Sequence, residues 1–111
     1  SFRAAILGFV SIVREKHPDT PIALISPIIS PNRETAENAV GFTLEAMREE
    51  VKAAAETLVR HGDRHLTYVN GLELFGPDLV ADYLPDNLHP NGDGYEIMGR
   101  NAVRMALEPL L

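Results

Sequence analysis

The chain has 111 residues, 45% apolar and 23% charged, with a formal net charge of −6 and no cysteine. That length and composition suit one globular domain with its own core, and exclude a disordered tail. No apolar run nears the ~20 residues of a membrane span. The ten Lys and Arg form no basic cluster for nucleic acid or an anionic membrane, and the lack of thiols removes disulfides, thiolate metal sites and a cysteine nucleophile.

Phe2, Ile6, Phe9, Val10 and Val13 recur at helical spacing, and Pro18 ends that run after His17. The first six residues already carry the helical period and do not form a signal peptide. A natural chain rarely starts inside a helix, so the functional protein is expected to begin further upstream.

Turn residues from His17 to Pro21 lead into Ile22-Ala23-Leu24-Ile25-Ser26. A continuous apolar run between prolines predicts a parallel strand covered on both faces. Pro27 to Asn32 read as a loop. From about Arg33 to Arg60, Val40, Leu44, Met47, Val51, Ala54 and Leu58 alternate at spacings of four and three. This predicts one long amphipathic helix closed by Gly62.

Leu66-Thr67-Tyr68-Val69-Asn70 is a second strand, followed by a Gly/Pro-bearing loop and a helical turn near Pro77 to Tyr83. The last helix is predicted from about Gly92 to Leu107, with Tyr95, Met98, Ala102 and Met105 on its core face. There is no internal repeat, low-complexity tract or linker. Strand, helix and strand make a βαβ unit with a parallel pair. Two strands make a poor sheet, and an apolar strand with a free edge invites aggregation. Further strands are expected beside Ile22–Ser26, from upstream sequence or another chain.

Ligands in open α/β sheets lie beyond the carboxyl ends of the strands. Three segments should meet there: Pro27-Ile28-Ile29-Ser30, the loop after Asn70, and Asp86-Asn87-Leu88-His89-Pro90. In the last, a carboxylate and an imidazole stand three residues apart, just ahead of a helix. Such a pair can orient a histidine tautomer and take a proton from a hydroxyl nucleophile. The same residues also suit simple capping and turn formation. His61, Asp63 and His65 alternate as metal ligands could, but Gly62 sits where a helix C-cap belongs, and a solvated connection explains them.

Asp86-Asn87-Leu88-His89-Pro90-Asn91-Gly92-Asp93-Gly94-Tyr95-Glu96-Ile97-Met98-Gly99 resembles the final block of the GDSL/SGNH hydrolases. The flanking pattern is similar as well: an apolar strand ending in Ser-Pro, a long helix, and a strand ending in Val-Asn-Gly. The resemblance implies an α/β fold, a three-layer α/β/α flavodoxin-like sandwich with a parallel sheet. Residues 1–111 would be the C-terminal portion of one such domain, supplying its last two strands and three helices. It also implies a serine esterase, lipase or acyltransferase acting on a small ester or acyl substrate, with Asp86 as triad acid and His89 as general base.

Pro27, Ile28, Ile29 and Leu88 would then line the substrate site, and no metal or organic cofactor would be needed. Ser1, Ser11, Ser26 and Ser30 are the serines of the chain, and none follows a Gly-Asp pair. The nucleophile and oxyanion hole are therefore expected outside this segment. The rival reading is a non-catalytic α/β binding or assembly module that keeps the loop as structure.

Overall fold

The computed structural model describes residues 1–110. Helix α1 (Phe2–Lys16) begins where the Ser1 hydroxyl accepts from the Ala4 N–H, and His17 caps its end by donating to the Val13 carbonyl. Strand β1 (Ile22–Ile25), helix α2 (Leu44–Arg60) and strand β2 (Leu66–Val69) form the βαβ unit. The strands pair in parallel, with Ile22 opposite Leu66 and Ile25 opposite Val69.

A short helix α3 (Gly71–Leu74) follows directly, capped by Asn70, whose side chain accepts from the Leu72 N–H. A 3-10 turn at Pro77–Leu79 runs into helix α4 (Val80–Tyr83). Helix α5 (Gly92–Ala102) continues as a π turn at Val103–Leu107 and a 3-10 turn at Glu108–Leu110.

Alternation along the strands sorts the core into two layers. Ile22, Leu24, Leu66 and Tyr68 pack with Val10, Ala55 and Leu58 of α1 and α2. Ala23 and Val69 pack on the other side with Leu74, Met98, Ala102 and Ala106. Ile29, Phe75 and Leu84 form a third cluster beneath the loops that follow the strands. At the C-terminal edge, Gly71 approaches so closely that an added Cβ would lie 2.0 Å from the Ser26 carbonyl oxygen. Its N–H donates to the Ser26 hydroxyl, joining the ends of β1 and β2.

Three differences from the sequence expectations have physical causes. Helix α2 starts at Leu44 rather than near Arg33. The Asn38 side chain accepts from the Val40 and Phe42 N–H groups, Gly41 takes a φ of 77°, and Thr43 caps Ala46. These local bonds compete with the helical ladder, and they leave Val40 exposed. The loop folds back so that Arg33 and Glu34 carbonyls accept from the first N–H groups of α2. Tyr95, assigned to the core face of the last helix, is exposed instead. Strand β1 packs against helices on both faces, as expected, but its unpaired edge leaves it half-buried, with Ile25 44% exposed.

Candidate active site

The segment from Leu84 to Gly94 is built largely from its own short-range hydrogen bonds. Leu84 is buried and its carbonyl accepts from the Asn87 N–H. Asn87 turns the chain with a φ of 61°, a left-handed conformation that Asn tolerates better than most residues. This turn brings the Asp86 carboxylate back over the residues that follow. Its Oδ1 accepts from the N–H of Leu88 at 2.9 Å and of His89 at 2.6 Å. Its Oδ2 lies 2.8 Å from His89 Nδ1. Pro90 is buried, and Asn91 caps α5 by accepting from the Gly94 N–H. Asn91 also donates to the carbonyls of Tyr83 and Asp82, tying α5 to α4.

Gly94 is what permits that approach. A Cβ there would meet Pro90 and Tyr83 at 3.0 Å. The His89 side chain is 66% exposed and that of Asp86 54%. The backbone N–H of His89, its ring, and the backbone N–H of Leu88 hold the Asp86 carboxyl well below the usual carboxylate range. An ionised carboxylate against Nδ1 favours the tautomer with a proton on that nitrogen. The Nε2 lone pair, on the far side of the ring, is then available as a base, and any imidazolium formed has a facing negative charge.

The other sequence candidates fall in different places. Leu88 and Asp86 border an open cavity of about 500 Å³, together with Asn32, Arg33, Phe42 and Met47. Pro27, Ile28 and Ile29 are not among its lining residues. Ile29 is buried against Phe75 and Leu84, and Ile28 packs on the same cluster. The carbonyls of Pro27 and Ile28 both accept from Arg48.

Each serine hydroxyl is engaged away from His89. Ser1 caps α1, Ser11 donates to Leu7, Ser26 pairs with Tyr68 and Gly71, and Ser30 donates to Asn87. His61 caps α2 through its backbone, and Asp63 is held by Arg14 at 2.8 and 3.0 Å. His65 stands 3.7 Å from Asp19. Among the described residues no group of three His, Asp or Glu side chains is placed to hold a metal ion.

Sequence reasoning missed Arg48. It is 6% exposed and forms an ion pair with Glu34, with 2.8 Å between Nη2 and Oε2. A signal was present: Arg48 follows Leu44 by four residues, on the same helical face as Val51 and Ala55. A charge on the apolar stripe implies a buried partner.

No family model and no curated protein matches the chain. Among solved structures, a salicylyl-acyltransferase from a tetracycline biosynthetic pathway superposes with a TM-score of 0.84 and 36% identity. That match covers 99% of this chain and 34% of the other. A Bacteroides ovatus protein named as a GDSL-like lipase superposes with a TM-score of 0.73 and 22% identity, over 93% of this chain and 30% of its own. The second likeness bears on fold alone. The chain spans about a third of the length of either structure. It has the mixed α/β fold of GDSL-like hydrolase structures over that third, with a parallel strand pair and helices on both faces.

Proposed function

We propose that this chain supplies the acid and base of a serine-dependent acyl-transfer site of the GDSL/SGNH type. Asp86 orients His89, and His89 Nε2 takes the proton from a serine contributed by polypeptide outside residues 1–111. That serine attacks the carbonyl of an ester or related acyl substrate, and donors outside this chain stabilise the oxyanion. His89 then returns the proton to the leaving alcohol. Water completes a hydrolysis, or a second alcohol completes an acyl transfer. The observation that carries this reading is the 2.8 Å contact between Asp86 Oδ2 and His89 Nδ1, on an exposed ring at the carboxyl edge of a parallel sheet. The acyltransferase named for the first structural neighbour supports the same class of chemistry.

The cavity beside Asp86 and Leu88 would receive part of the substrate, within the usual range of ~300–1,000 Å³ for small-molecule sites. The rest of the domain would cover β1. A groove lined by Phe2, Ile6, Phe9, Leu24, Ile25 and Val51 runs along its outer edge, and an additional parallel strand there would satisfy both the apolar surface and the unpaired backbone.

His89→Ala in the intact protein should lower kcat by about 10³-fold or more while the far-UV spectrum stays native. A serine-directed phosphonate should label the intact protein. Near-normal esterase and acyltransferase rates in His89→Ala would overturn the assignment. Failure to label would favour the binding-module reading.

A further inference from the structure

We propose that Ser30 is a positioning residue for the Asp86–His89 pair, acting through the backbone of Asn87; this rests on the acyl-transfer reading above. Ser30 is 3% exposed, and its hydroxyl donates to the Asn87 carbonyl at 2.6 Å across 57 residues of sequence. Every other hydrogen bond of residues 85–89 among the described residues runs within 84–89. The Ser30 bond is thus the one polar tie from that loop to the β1–α2 side of the molecule.

Asn87 is where such a tie has the most leverage. Its φ of 61° makes the turn that folds Asp86 onto His89, and that conformation is a minority state for a non-glycine residue. Fixing its carbonyl fixes the peptide plane between the acid and the residues leading to the base. A small tilt of that plane alters the 2.8 Å contact, and positional errors near ~1 Å at a reacting group cost about 10²-fold in rate.

Ser30 is itself held. Its N–H donates to Glu34 Oε2 at 3.0 Å. Glu34 is paired with Arg48, whose guanidinium also donates to the Pro27 carbonyl at 2.8 Å and the Ile28 carbonyl at 3.0 Å. Helix α2 therefore clamps the loop after β1, and that loop grips the turn carrying the dyad. Each link joins a buried or half-buried group to a matched partner, and such networks give rigid, well-defined geometry.

The test compares wild type, Ser30→Ala, Ser30→Cys and His89→Ala in the intact protein by steady-state kinetics. Ser30→Ala should lower kcat by about 10- to 100-fold, with KM within about twofold, because binding and positioning are separable here. Ser30→Cys keeps the buried volume with a weaker donor, so an intermediate kcat is expected, and it serves if the Ala variant does not fold.

A Ser30 variant that folds with kcat within twofold of wild type, or that raises KM as much as it lowers kcat, overturns the positioning role. If His89→Ala is inactive while Ser30→Ala is normal, the dyad stands and only this proposal fails. If His89→Ala remains active, both fail together.

Discussion

Two parts of this molecule satisfy their surfaces in opposite ways. Between Leu84 and Gly94 the chain is polar and nearly self-contained: Asp86 binds the next residues, Asn91 binds Gly94, and Pro90 and Leu84 anchor the turn below. Along α1 and the outer edge of β1 the side chains are apolar and stand in solvent, with Phe9 68%, Ile12 66% and Ile25 44% exposed. Exposed apolar side chains are ordinary when scattered, but here several line one groove beside a strand edge. The geometry of a carboxylate–imidazole pair can be encoded in a dozen residues, because hydrogen bonds reach their partners locally. A parallel sheet cannot be completed that way. Its strands are neighbours only through long connections, and its faces are covered by other segments.

The contrast can be attacked first at the dyad. Asp86→Asn places an amide N–H or oxygen opposite Nδ1 and disturbs the tautomer, so kcat in the intact protein should fall by roughly 10²- to 10⁴-fold. The carboxylate is exposed and its bonds are local, so Tm should change by only a few degrees. A large Tm loss with proportionate activity would mean that the pair is structural.

The next blow falls on the sheet edge. Ile25→Lys should destabilise the intact protein by about 2–4 kcal/mol if other strands cover that edge, because a lysine would be buried there. Activity per folded molecule should remain near normal. A change within about 0.5 kcal/mol, measured by denaturant unfolding, would mean that the edge stays in solvent.

The smallest effect is a pH dependence of stability carried by two largely buried ion pairs, Arg48–Glu34 and Arg14–Asp63. Arg48 lowers the Glu34 carboxyl and Arg14 lowers that of Asp63, each chiefly by direct hydrogen bonds, from ordinary values of 4.5 and 3.8. A depressed folded-state value means that the unfolded chain binds protons there first. Stability from these pairs is therefore full above the ordinary values and is lost as pH falls through the folded ones. Tm should hold between about pH 6 and about pH 5 and decline below about pH 4. Glu34→Gln should flatten part of that decline, and an unchanged slope would remove Glu34 from the account.

Much of this was legible in the residues because it depends on near neighbours. The apolar spacing from Phe2 to Val13 placed α1, and Pro18 marked where it stops. The runs Ile22–Ser26 and Leu66–Asn70 placed both strands within a residue, and the intervening helix made them parallel. The Asp-x-x-His-Pro order marked the carboxylate and imidazole that the turn brings to 2.8 Å. The α2 boundary was misplaced because periodicity at Val40 outweighed turn chemistry at Asn38, Gly41 and Thr43. Tyr95 was misplaced because its helix face meets neighbours only beyond the first turn, from Met98 onward.

By itself, then, the sequence determined the order of helices and strands and the local turn that pairs Asp86 with His89. Both follow from side-chain periodicity and from bonds spanning a few residues. Only the tertiary structure decided that Arg48 and Glu34 are joined inside and that Ser30 reaches Asn87. Those contacts link residues 14 and 57 positions apart, and their partners are chosen by packing rather than by spacing along the chain.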